Sequence, residues 1–233
     1  MNDATDMVVL SLEGVSKYFG PIKALEDVSL SVRAGEVHGL IGENGAGKST
    51  LMGVASGALQ ATAGQLTLCG EVVGADPQRI RDMGLAIVRQ EPLLMPDLSV
   101  AENIWLSLPQ RLRPPVAAMA EFAKAAIARW GADTKIDVGQ RVETLNAERR
   151  FIVEIVKALA ADLKVLVLDE PTEHLAAEDV DRLFGHVRRL AAEGTAVVYI
   201  SHRIREVQAI ADRLTVLRDG KAIQTRDATG LSE

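Results

Sequence analysis

Residues 39–50 read GLIGENGAGKST, an apolar entry followed by closely spaced glycines, a lysine and two hydroxyl residues. The spacing Gly42-x-x-x-x-Gly47-Lys48-Ser49 suits a loop that wraps phosphate. Glycines at 42, 45 and 47 let the backbone approach anionic oxygens with its amide hydrogens turned inward. A helix beginning near Ser49 adds its positive end. Lys48 supplies a charge for β and γ phosphates, and the Ser49 hydroxyl is a ligand for Mg²⁺. The candidate nucleotide contacts run through Gly42, Glu43, Asn44, Gly45, Ala46, Gly47, Lys48, Ser49 and Thr50.

Two further stretches carry chemistry. KVLVLDEPT (164–172) sets Asp169 and Glu170 at the carboxyl end of an apolar strand, the edge where a parallel sheet binds ligands. Adjacent carboxylates there are costly unless a cation occupies them. Asp169 suits a hold on Mg²⁺, and Glu170 suits a general base acting on water at a γ-phosphate. VVYISHRIREV (197–207) sets His202 just past another such strand, where an imidazole can hydrogen-bond the γ-phosphate. Taken alone, His202 reads as an ordinary strand-end histidine.

These residues need elements to position them. The apolar runs 8–12, 37–41, 85–88, 165–168, 196–200 and 213–217 read as strands. Several are apolar on both faces, as strands covered on two sides must be. Helical patterns fall at 50–57, 148–161, 178–192 and 204–211. Such alternation predicts an α/β fold with a largely parallel sheet. The strands 8–12, 28–32 and 64–73 carry Gly35, Gly64 and Gly70 at turns and read as antiparallel. From residue 92 strong strands are lacking; Pro114 and Pro115 open a helix that the alanine-rich run to 132 propagates. The expected organisation is one domain over 7–228 with an inserted helical subdomain over 92–160, and a linker or tail beginning at 229–233.

Composition bounds the partners. A formal net charge of −6 argues against a bulk electrostatic grip on nucleic acid and against unassisted binding to an anionic membrane. Aromatic residues are 3% of the chain, so the core is built mainly from aliphatic side chains. The lone cysteine, Cys69, excludes an internal disulfide and reads as a small buried apolar residue. The polar start MNDATD is no signal peptide, and no run approaches the ~18 apolar residues of a membrane span. A soluble, intracellular protein is expected.

In the order of these motifs the chain resembles the ATP-binding cassette (ABC) family over nearly its whole length. The resemblance implies an ABC nucleotide-binding domain: a P-loop RecA-like core, an antiparallel β subdomain and a helical subdomain, using ATP and Mg²⁺. It implies that Gln90, in IVRQEP, reaches Mg²⁺ and couples the catalytic site to a membrane partner. It implies that Phe19, in SKYFGPIKAL, stacks on adenine; Tyr18 is the second candidate, and core packing is the plain alternative. RQEPLLMPDLSVAENIWL (89–106), FIVEIVKAL (151–159) and YISHRIREV resemble the N-terminal cassettes of bacterial sugar importers of the ribose, galactose and xylose group. The implied partners are a second cassette, in tandem or on a separate chain, an integral membrane permease and, indirectly, a substrate-binding protein. The implied place is the cytoplasmic face of the cell membrane.

One element departs from the family. Its signature reads Leu-Ser-Gly-Gly-Gln, whereas this chain has Leu145-Asn146-Ala147-Glu148-Arg149. The helix that follows is regular, with Ile152, Ile155, Val156 and Leu159 on one stripe. Asn146 can cap it. Glu148 stands where the family brings bare backbone to a γ-phosphate, and a carboxylate there repels the anion unless it turns away. In the family each Walker A loop pairs with the other cassette's signature. The expectation is therefore an asymmetric cassette pair, with its competent site built on this chain's Lys48 and Glu170. The alternatives are an ABC switch outside transport, or a regulatory nucleotide binder of weak hydrolysis; a P-loop kinase is disfavoured by LDEPT and YISHR.

Overall fold

A computed structural model describes residues 7–228. The acidic start and the expected linker at 229–233 lie outside the described residues. The described residues divide into two units: 7–87 with Lys164–Glu170 and 187–228, and Val88–Leu163 with Pro171–His186.

The first unit holds two sheets. In the antiparallel sheet β1 (Val8–Phe19), β2 (Ile22–Arg33), β4 (Ala63–Leu68) and β5 (Glu71–Val73) lie in the order β2-β1-β4-β5. The first two strands run well beyond the apolar cores at 8–12 and 28–32. The stretch 64–73 splits into β4 and β5 at a two-residue turn, Cys69–Gly70, between paired Leu68 and Glu71. Both turn residues have positive φ, 51° and 81°, the geometry that lets a two-residue hairpin follow the twist of its strands. Cys69 is therefore exposed, contrary to the expectation of a buried residue. Gly64 lies inside β4 rather than at a turn.

The six-stranded sheet has the order β10-β9-β3-β8-β7-β6. Its strands are β3 (Val37–Ile41), β6 (Leu85–Val88), β7 (Val165–Asp169), β8 (Ala196–Ile200), β9 (Arg213–Arg218) and β10 (Lys221–Asp227). β8 runs parallel to β3 and β7, with Ile200 paired to Leu40 on one side and Asp169 on the other. The carboxyl ends of β3, β7 and β8 are thus level, as the motif positions require. Val165, Val167, Val198 and Ile200 are fully buried; such a side chain contributes about 1.5–3 kcal/mol of transfer free energy. The same unit holds α1 (Lys48–Ala55), which packs on β2, α2 (Pro77–Asp82) and α7 (Ile204–Ile210), which packs on β3.

In the second unit α3 (Val100–Ser107), α4 (Met119–Trp130) and α5 (Ala147–Leu159) pack on one another. Ile104, Ile127, Trp130, Phe151 and Ile155 are buried there. α3 opens on a capping box: Ser99 Oγ accepts the Glu102 amide at 3.2 Å and Glu102 Oε2 accepts the Ser99 amide at 2.8 Å. Pro114 and Pro115 precede a short 3₁₀ turn, and the α-helix proper starts only at Met119. α6 (Ala177–Ala192) has residues in both units. No helix among the described residues is long and apolar enough to cross a membrane.

Candidate nucleotide site

The loop after β3 is shaped by its glycines. Gly47 caps α1 in the left-handed region, φ 105°, with no side chain to occupy the first turn. A Cβ at Gly47 would sit 2.8 Å from Ala24 O, and one at Gly42 only 2.5 Å from Leu217 O. Both positions bring backbone against backbone, and neither admits a side chain without displacement. Leu51 N donates to Gly47 O at 2.9 Å, so the amides at 48–50 precede the first intrahelical donor. Those amides and the helix dipole make a cradle for an anion.

Lys48 is buried to 8% exposure. Its Nζ donates to Gly42 O at 2.5 Å and Glu43 O at 3.3 Å, which holds the ammonium at the loop itself. Glu43, Asn44 and Gly45 are exposed, Ala46 is buried, Ser49 is exposed and Thr50 is half-buried. Ala46 is fixed by its amide on Glu43 O, 3.1 Å, and by its carbonyl, which accepts Gly220 N at 3.0 Å.

At the end of β7 Asp169 is half-buried and engaged by neighbours. Glu170 is buried and takes φ 48°, a left-handed conformation costing a non-glycine residue roughly 1–2 kcal/mol. Two contacts hold it there. Its amide donates to Ile200 O at 2.9 Å, and its Oε1 accepts the His202 amide at 3.0 Å. The same Oε1 lies 2.9 Å from His202 Nδ1. A carboxylate only accepts, so Nδ1 carries the proton and Nε2 is left for another partner. The His202 side chain is 56% exposed.

Phe19 and Tyr18 sit at the end of the β1–β2 hairpin, 46% and 37% exposed. Core packing therefore does not account for either ring. Lys17 Nζ stands 5.0 Å from the Phe19 ring centre.

Gln90 and residues 145–149 belong to the second unit. Gln90 is exposed and its Nε2 donates to Glu173 Oε2 at 2.6 Å. Leu145 is buried and Ala147 exposed. Asn146 Oδ1 accepts the Arg149 amide at 2.9 Å, which makes Asn146 the N-cap of α5. Glu148 turns onto its own chain: its Oε1 accepts the Ala176 amide at 3.3 Å. Arg149 is exposed. Glu154, on the buried face of α5, is matched by Lys157 at 2.5 Å. The contacts of Glu173 and Ala176 have no counterpart among the sequence motifs. An acid directly after LDEPT was the visible signal, but nothing in the sequence ties it to a glutamine 83 positions earlier.

Fold and loop together define a P-loop nucleotide-binding cassette. The family model described as ABC transporter matches residues 25–173, and the chain belongs to this family as an ATP-binding cassette of the ATPase type. It is 43% identical to a ribose import ATP-binding protein of Rhizobium etli, over 93% of this chain and 43% of that protein. It is 48% identical to an arabinose import ATP-binding protein of Burkholderia ambifaria, over 93% of this chain and 42% of that protein. The chain thus spans less than half the length of these relatives. Among solved structures, a nucleotide-free ATP-binding cassette from an ABC transporter is 29% identical with a TM-score of 0.80, covering 95% of this chain and 92% of its own. An ADP conformation of an ABC-transporter cassette is also 29% identical, with a TM-score of 0.78 and coverage of 95% and 91%.

Proposed function

We propose that this chain binds and hydrolyses ATP to drive a sugar importer, working at the cytoplasmic face of a cell membrane beside a second cassette and against a permease. The substrate-binding protein of such a system acts only indirectly on this chain, and no nucleic acid takes part. The sugar assignment rests on the ribose- and arabinose-import relatives. The observation that carries hydrolysis is the pair formed by Glu170 and His202 at the ends of adjacent parallel strands, on the strand-end edge that also bears the phosphate loop.

In this reading the amides of Gly42–Thr50 take the phosphates, and Lys48 exchanges the loop carbonyls for β and γ oxygens. The glycine cradle is one that a Cβ would fill, which fits an anion pressed against backbone. Phe19 stacks on the adenine. Ser49, Asp169 and Gln90 would hold Mg²⁺, whose charge would neutralise that of the phosphate oxygens; such an ion characteristically takes few protein ligands. Glu170 orients the attacking water and accepts its proton, and His202 contacts the γ-phosphate, to which Nε2 donates when the ring carries its second proton.

The signature region supports asymmetry. Asn146 caps α5 through Oδ1 and keeps its amide N–H donors, whereas Glu148, which accepts the Ala176 amide, sets a carboxylate where bare glycine would meet a partner's γ-phosphate. The competent site uses this chain's Walker motifs and a partner cassette's signature. The test is ATP turnover by this chain alone and then with a cassette of intact signature. Binding of MgATP with slow turnover alone, accelerated by the partner and lost in Glu170→Gln, is expected. Fast turnover by the chain alone, abolished by Glu170→Gln, would sink the asymmetric pair; failure to bind nucleotide would sink the whole reading.

A further inference from the structure

Gln90 is drawn into the proposed site by its amide oxygen, yet an amide has two ends. Rotation about its terminal torsion exchanges a carbonyl oxygen for an NH₂ group, and that torsion is broad and two-fold. A metal ion accepts only the oxygen; the other end presents hydrogens to a cation. An exposed glutamine in water has little to choose between the two.

Glu173 removes the choice. Its Oε2 lies 2.6 Å from Gln90 Nε2, the short distance of a hydrogen bond to a charged acceptor. A carboxylate can only accept, so the NH₂ end must face Glu173 and Oε1 must face the other way. Glu173 is itself held through two of the residues that follow, His174 and Ala176. The His174 ring stands edge-on to buried Phe151, centroids 5.8 Å apart, and the Ala176 amide donates to Glu148 Oε1 at 3.3 Å. Both anchors are on α5, so the segment 173–176 is pinned to a helix and does not trail in solvent.

We infer that Glu173 is a positioning residue that sets the amide of Gln90, presenting Oε1 to the metal of a bound nucleotide. The inference rests on the reading that Gln90 reaches that metal. It also gives Glu148 a second consequence: by capping Ala176, this residue of the altered signature steadies the carboxylate that orients Gln90.

The experiment measures Mn²⁺ affinity of the ATP-loaded chain by electron paramagnetic resonance in a Glu170→Gln background, with metal-free ATP binding as control. Glu173→Ala weakens Mn²⁺ binding, Glu173→Gln stays within about twofold because its Oε1 still accepts, and Glu173→Lys, which can only donate, weakens it most, by roughly tenfold. Metal-free ATP binding is unchanged in all three, which a collapsed fold would not allow. Wild-type Mn²⁺ affinity in Glu173→Ala and Glu173→Lys, with Gln90→Ala weakened, overturns the positioning role alone. Wild-type affinity in Gln90→Ala overturns the reading of Gln90 and the inference with it.

Discussion

One oxygen of Glu170 accepts the backbone amide of His202 at 3.0 Å and lies 2.9 Å from the same residue's Nδ1. The carboxylate thereby fixes the backbone and the tautomer of the histidine together. Its own left-handed backbone and its bond to Ile200 O show that the position is built for this contact and not for strand continuation.

Replacing Glu170 by Gln should slow ATP turnover by roughly 10²–10⁴-fold while MgATP still binds. Single-turnover hydrolysis with a competent partner cassette, beside equilibrium nucleotide binding, separates the two. A parallel loss of binding would mean that Glu170 holds nucleotide and does not activate water.

Gly47→Ala should cost at least about 1 kcal/mol in stability, since φ 105° is strained for any L side chain and the new Cβ meets Ala24 O. Nucleotide affinity should fall with it, because the first turn of α1 moves. Urea unfolding and titration with a fluorescent nucleotide read the two effects. Gly45→Ala, whose Cβ meets nothing within 4 Å, bears the φ strain of 86° without the clash and should be milder.

The acid limb of stability should carry the signature of Glu36. Burial alone would raise its pKa, but hydrogen bonds from His38 and the Arg33 amide, with the charges of His38 and Arg213, outweigh that and lower it. A folded pKa below the unfolded one stabilises the protein fully above the unfolded value, about 4.3, and less as pH falls through the folded value. Glu36→Gln should therefore cost about 2 kcal/mol at pH 7 and much less near pH 3. Denaturant unfolding at both pH values checks it; an equal cost at both would assign the effect to packing.

Asn146→Ala should destabilise α5 by about 1 kcal/mol, and Asn146→Ser should restore the cap. Thermal unfolding of the two variants decides. If alanine is as stable as asparagine, the bond to the Arg149 amide is idle and Asn146 is free to serve a partner cassette.

Much of this was legible beforehand where local chemistry and burial agree. The strands at 165–168 and 196–200 are buried on both faces, and their unbroken apolar runs say so directly. The phosphate loop was readable because glycine spacing and strand–helix context point the same way. Less legible were features set by partners distant in sequence. Cys69 carries no local sign that the β4–β5 register places it in a turn. The direction of Glu148 depends on an amide 28 positions later, and that of Gln90 on a carboxylate 83 positions later. The helix Val100–Ser107 does carry a local sign, the capping box Ser99-x-x-Glu102.

β8 acts as the ruler of the site. Because Ile200 pairs with Leu40 on one side and Asp169 on the other, a slip of one residue would displace His202 by about 3.3 Å and exchange its face. The contact with Glu170 could not survive that. The two strand neighbours of β8 deliver the phosphate loop and the acid, so the spacing of all three contributions hangs on the pairing of five buried residues, none of which touches nucleotide in the proposed mechanism.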